Sequence, residues 1–152
     1  MRRSIALICA LATGCTASAA PEERSSATPQ RQNLATVSVA QGGVIDIVDG
    51  TVVVADAVTV PPGGTSGWHT HPAPEVVLVK SGELTFYRSD RPGCLAGKFS
   101  AGDAFVGPPG GVPQMAINAG NEPAELVVAF FGIAKDGPVR GDIAPPSGCP
   151  AI

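Results

Sequence analysis

Histidine occurs only twice in the chain, at His69 and His71 within GWHTHPAPE (residues 67–75), and a carboxylate, Glu75, follows the second by four positions. In an extended segment successive side chains alternate faces, so both imidazoles project to one side while Trp68 and Thr70 project to the other. Two imidazoles and a carboxylate sharing one face are the donor types that chelate a first-row divalent cation. An isolated HxH equally describes two hydrogen-bonded or surface histidines, so the surrounding residues must decide.

They are regularly placed. Five residues separate Gly63 from His69, three separate His71 from Glu75, and six separate Glu75 from Gly82. This spacing resembles the first motif of the cupin family, G(X)5HXH(X)3-4E(X)6G, at every fixed position, and the resemblance extends from before Pro61 to about Gly132. The second cupin motif, G(X)5PXG(X)2H(X)3N, is met in part by GDAFVGPPGGVPQMAIN, where Gly102, Pro108 and Gly110 fit its first half. Rigid counting puts Pro113 at the histidine position. One extra glycine in Gly110-Gly111 puts Gln114 there and also restores the asparagine, as Asn118.

The resemblance implies a β-jelly-roll barrel in which His69, His71 and Glu75 converge on one divalent metal, with Gln114 at the fourth ligand position. A glutamine offers a carbonyl oxygen instead of an imidazole nitrogen, a harder donor that favours manganese or ferrous iron over copper. Alternatively, Gln114 holds a water near the ion and leaves a two-histidine, one-carboxylate face with open positions. Iron, manganese, zinc and nickel all stay open as the metal, and so does a degenerate barrel that has lost it. Glu75 has two candidate roles under the resemblance, metal ligand or catalytic base taking a proton from a bound substrate. Family members are often homodimers through edge-strand pairing.

The elements that must position these residues are short and β-branched. TVSVA, GVIDIV, TVVVADAVTV, EVVLVK, ELTFYR, DAFVG, QMAIN and AELVVAFFGIA are the candidate strands, broken by Gly, Pro, Asn and Asp. Asp49-Gly50 and Ser81-Gly82 suit tight hairpins, and Pro61-Pro62-Gly63-Gly64 and Pro108-Pro109-Gly110-Gly111 stop strands. No segment sustains a helical period. An all-β sandwich or barrel follows, a single domain at residues 34–135 with an irregular tail at 136–152. Trp68 is expected on the outer side of the barrel wall, and Lys80, Arg88, Asp90 and Arg91 as solvated turn charges.

Residues 1–19 have a basic start, a short apolar run and a small-residue end, the layout of an export signal. Ala17-Ser18-Ala19 suits ordinary cleavage, whereas Leu11-Ala12-Thr13-Gly14-Cys15 is an imperfect lipobox that would leave a lipid on Cys15 as the sole membrane attachment. Residues 20–33 read as a flexible leader. Cleavage before Ala20 leaves eight basic against thirteen acidic residues, a net charge of −5. With no basic stripe and no phosphate-cradling glycine loop, nucleic acid and nucleotides are excluded as partners, and a small organic molecule is the expected ligand. The export signal holds Cys9 and Cys15, which leaves Cys94 and Cys149 as an expected disulfide tying the tail to the domain. The functional expectation is an exported periplasmic or secreted metal protein with dioxygenase-like chemistry. Its rival is a non-catalytic protein that binds a metal or small ligand in the cell envelope.

Overall fold

The computed structural model describes Asn33 and residues 36–151. The export signal at 1–19, the lipid-bearing candidate Cys15 and nearly all of the leader at 20–33 lie outside the described residues.

Among the β-rich runs, EVVLVK, ELTFYR and AELVVAFFGIA alternate one face inward, and most of the runs become strands. In chain order they are β1 (Ser38–Gln41), β2 (Thr51–Val60), β3 (His69–Thr70), β4 (Glu75–Ser81), β5 (Glu83–Arg88), β6 (Leu95–Ser100), β7 (Asp103–Gly107), β8 (Gln114–Ile117), β9 (Ala124–Ala134) and β10 (Gly141–Asp142). They form two five-stranded sheets, ordered β1-β7-β4-β9-β2 and β10-β3-β8-β5-β6. All pairings are antiparallel except the parallel edge pair of β1 and β7. This is the expected all-β jelly roll, with Gly50 and Gly82 taking the positive φ values, 84° and 74°, that their hairpins require.

Alternation fills the space between the sheets. Val77 and Val79 from β4, Leu126 and Val128 from β9, and Leu84 and Phe86 from β5 point inward, joined by Phe99 and Phe105. The rings of Phe86, Phe99 and Phe105 pack together in this core with centroids 4.2–6.5 Å apart. The same inward column of β4 that carries Val79 and Val77 ends in buried Glu75. That end of the strand is therefore where a polar group enters the barrel.

Three elements depart from the sequence expectation. GVIDIV forms no strand: the ladder of β2 with β9 begins only at Thr51↔Ala134, and Val44, Ile47 and Val48 are exposed. Leu95–Ser100 is a strand although Gly97 and Lys98 interrupt its apolar pattern, because it completes the edge beside β5. The segment after Asp136 carries β10, which pairs with β3 through Gly141↔Thr70 and Asp142↔His69. Of the four charges read as solvated, Arg88 is buried and makes a two-pronged ion pair with Asp90.

Trp68 packs on the outer side of the second sheet with Cys94, Met115 and Cys149. Its indole N–H donates to the Pro150 carbonyl at 2.8 Å, and the Ile143 N–H donates to the Trp68 carbonyl at 3.0 Å. Cys94 and Cys149 are disulfide-bonded with Cα atoms 5.5 Å apart, closing a span of 55 residues. The tail is thus a strap, fixed at β10 and again at its disulfide.

Candidate metal centre

Each polar group arrives on a separate element. His69 sits on β3, paired with Gln114 at the start of β8, and Glu75 opens β4, paired with Gly107 at the end of β7. The doubled glycine settles how Gln114 reaches its place: Gly110 and Gly111 both adopt positive φ, 78° and 76°, and absorb the extra residue inside the turn. Gln114 consequently points into the barrel beside Glu75, and Pro113 does not take that position. Asn118 is also buried, but it ties β2 to the turn after β8, donating to the carbonyls of Val60 and Glu122.

The rings of His69 and His71 lie 4.7 Å apart, nearly perpendicular. The Nδ1 of His69 donates to the Gly67 carbonyl at 2.9 Å, and the Nδ1 of His71 donates to the Val139 carbonyl at 2.7 Å. A carbonyl can only accept, so each neutral ring carries its proton on Nδ1 and its lone pair on Nε2. His71 Nε2 is 3.5 Å from Glu75 Oε2. Phe130 packs against the His71 ring at 4.7 Å between centroids.

Burial sets the charges. Loss of water around His69 lowers its pKa from 6.5 to about 4, against the opposing pull of the Gly67 carbonyl, so the ring is neutral at neutral pH. Burial raises Glu75 above the ordinary carboxylate range, opposed by His71 and by the hydrogen bond from the Gln114 amide. That bond runs from Gln114 Nε2 to Glu75 Oε1 and occupies the amide's donor side. Its acceptor, Gln114 Oε1, is buried and has no hydrogen-bond partner among the described residues. An orphaned buried carbonyl carries a desolvation cost of about 1–3 kcal/mol, which a cation would offset.

These donors fit a divalent ion: two imidazoles oriented through Nδ1 in the manner of metal-ligating histidines, one carboxylate, and one unpartnered carbonyl oxygen. Among the described residues no group of three or more His, Cys, Asp or Glu side chains is arranged to hold a metal by itself. The fit therefore depends on Gln114.

Three contributors carry no sequence signal of their own. A Cβ built on Gly107 would collide with the Oε1 of Glu75 and stand 2.5 Å from its Cγ, so only glycine lets Glu75 lie flat against β7. Gly107→Ala is expected to lose about 1–3 kcal/mol of stability by overpacking and to weaken metal uptake roughly tenfold, measured by thermal unfolding and metal titration. Val139 acts through its main chain, which no residue type announces. Arg140 follows it, its Nη2 donating to the Ser66 carbonyl at 2.5 Å and its Nε to Asp142 at 2.6 Å. The only hint of either was the expectation that a disulfide ties the tail to the domain.

Next to these groups lies a cavity of about 290 Å³. His69, His71, Glu75 and Gln114 line it, with apolar walls from β2, β4 and β9. A family model described as a cupin domain matches residues 56–130, the span that carries both histidines, Glu75 and Gln114.

The chain belongs to the cupin superfamily. Among solved structures, this cupin resembles an oxalate oxidase in complex with the substrate analogue glycolate, at 30% identity and a TM-score of 0.51, over 60% of this chain and 46% of that one. It also resembles the DMSP lyase DddQ from Ruegeria pomeroyi, at 22% identity and a TM-score of 0.51, over 68% and 48% of the two chains. Peruvianin-I, a cysteine peptidase from Thevetia peruviana latex, matches at 21% identity and a TM-score of 0.52, over 60% and 55%. The last two show the fold alone. The cupin spans about half the length of each of these structures. A comparison with curated proteins finds no match.

The site makes a pH prediction for the metal-free cupin. His69 resists protonation when folded, with a pKa of about 4, but takes a proton near 6.5 when unfolded. Between those values the unfolded chain binds more protons, so this contribution to stability is full above pH ~6.5 and is lost as pH falls towards 4, by up to roughly 3 kcal/mol. Glu75 acts in the opposite sense, since its raised pKa makes the fold gain stability as the carboxyl is protonated. His69→Asn should therefore flatten the acid limb of the stability curve, as read by denaturant unfolding across pH 4–7.

Proposed function

We propose that this cupin is an exported, mononuclear metal protein that performs dioxygenase-like chemistry on a small organic molecule in its barrel. The observation that carries the reading is the unpartnered Gln114 carbonyl oxygen, buried beside Glu75 and two Nδ1-anchored imidazoles. His69, His71, Glu75 and Gln114 would hold the ion, a hard-leaning mixed set suited to iron or manganese. When bound, such an ion supplies Lewis-acid and one-electron chemistry. The likeness to an oxalate oxidase supports oxidative chemistry on a small substrate.

The chain's own residues supply the rest. Glu75 has a second role in place of ligation: released from the ion, it can take a proton from a substrate C–H or O–H at Oε2, the oxygen facing His71, and burial favours its keeping that proton. The Gln114 amide steadies Glu75 through Oε1, so proton exchange falls to the other oxygen. Phe130 and the valines of β2, β4 and β9 give the cavity hydrocarbon walls.

The amide at the fourth position also favours a second reading, a weak binder of metal or ligand without turnover, because a carbonyl is a poorer donor than imidazole. Oxygen consumption in an electrode, with a panel of small organic acids and alcohols, separates the two. The wild type reconstituted with ferrous or manganous ion should consume oxygen, and His69→Ala should reduce the rate at least ~100-fold. Equal rates after chelation would end the metal-centred reading.

A further inference from the structure

Arg140 is a cation lining the cavity, carried on the strap and tied to the barrel at Ser66. Its Nη2 donates to the Ser66 carbonyl and its Nε to Asp142 Oδ1, which fixes the plane of the guanidinium. Nη1 has no hydrogen-bond partner among the described residues. Asp142 does not neutralise it fully, because its side chain is 78% exposed and the pair is screened by water. Asp56 also lines the cavity, from the exposed part of β2. The Arg140 charge is felt at both His69 and Glu75, so the guanidinium lies within electrostatic reach of the centre.

The remaining lining has a different character. Val58, Val77, Leu126 and Val128 form a hydrocarbon wall, and the volume of about 290 Å³ is at the small end for ligand sites. A cavity with one oriented guanidinium at its rim and an apolar body selects a ligand with one planar anionic end and a short hydrocarbon remainder.

We propose that Arg140 is the anion anchor of this cavity and that its substrates are small monocarboxylates with an apolar body. This rests on the reading that the cavity is the substrate site, but it does not require the metal.

The test is calorimetric titration of the full chain with butanoate, butanamide and butylammonium, in metal-loaded and chelated forms, with metal content measured in parallel. The wild type should bind butanoate at least ~10-fold more tightly than butanamide in both forms. Arg140→Gln should lose that preference with unchanged metal content, Arg140→Lys should keep part of it, and Asp142→Asn should strengthen butanoate binding by removing a competing negative charge beside the guanidinium. Equal binding of butanoate and butanamide by the wild type, or an unchanged preference in Arg140→Gln, would overturn the anchor. Should the preference persist in a protein that takes up no metal, the anchor stands and the metal-centred function falls. A normal metal content with no Arg140-dependent preference has the reverse meaning.

Discussion

Cys149→Ser is expected to lower stability by about 4 kcal/mol and to weaken metal binding together with it. The first effect is chain entropy, since the bridge closes a span of 55 residues and restrains the unfolded chain. For a domain of this size that corresponds to a fall in melting temperature of roughly 10–20 °C. The second effect is local. The strap released by the substitution carries Val139, whose carbonyl accepts the Nδ1 proton of His71, and loss of such a partner weakens metal affinity about 10–100-fold. Calorimetry of the wild type with and without reductant, beside the Cys94→Ser/Cys149→Ser double variant, checks both. Reduced wild type and double variant should coincide, and a strap without structural weight would leave all melting temperatures within a degree or two of one another.

Glu75→Gln should move stability and binding in opposite directions. Burial raises the Glu75 pKa against the opposing pull of His71 and the Gln114 amide, so its ionised form carries a cost in the fold. A neutral amide of the same shape removes that cost and can still meet Gln114, so the metal-free variant should be more stable by about 1–2 kcal/mol. The sign follows from linkage. Above the ordinary carboxylate pKa the unfolded chain releases the Glu75 proton more readily than the fold does, and this penalty disappears once the pH is low enough to protonate both states. The advantage of the variant should therefore shrink as pH falls towards ~4.5, visible in urea unfolding at pH 7, 6 and 5. Metal affinity should fall at least ~100-fold, because an anionic donor has become neutral. A Glu75→Gln protein that is less stable than wild type at pH 7 would show that the carboxylate is structural.

Much of this was readable in the residues, for physical reasons. Side-chain alternation in ELTFYR and AELVVAFFGIA gives the bounds of β5 and β9 because each strand has one face against the core, whereas TVVVADAVTV buries only Val60 and is held by its ladder with β9. Gln114 could be placed because Gly110-Gly111 is a site where an added residue costs no strain. GVIDIV misleads for the complementary reason: alternation describes what a segment could bury, and there is no ladder beside it to bury against. Leu95–Ser100 hides behind Gly97, where a Cβ would crowd Phe99 at 3.1 Å, so its missing side chain is part of the packing. The strap is the largest gap. Apart from the Arg140 side chain, its links run through the carbonyl of Val139 and the backbone N–H of Ile143, and main-chain groups are the same whatever residue bears them.

The central claim is that His69, His71, Glu75 and Gln114 together hold one divalent ion. Elemental analysis of natively purified protein, alongside His69→Ala and Gln114→His, tests it most directly. The account expects about one iron or manganese per wild-type chain, little in His69→Ala, and tighter retention through dialysis in Gln114→His, where an imidazole replaces the carbonyl donor. Metal near zero in the wild type and unchanged in Gln114→His, or equal metal in wild type and His69→Ala, would contradict it.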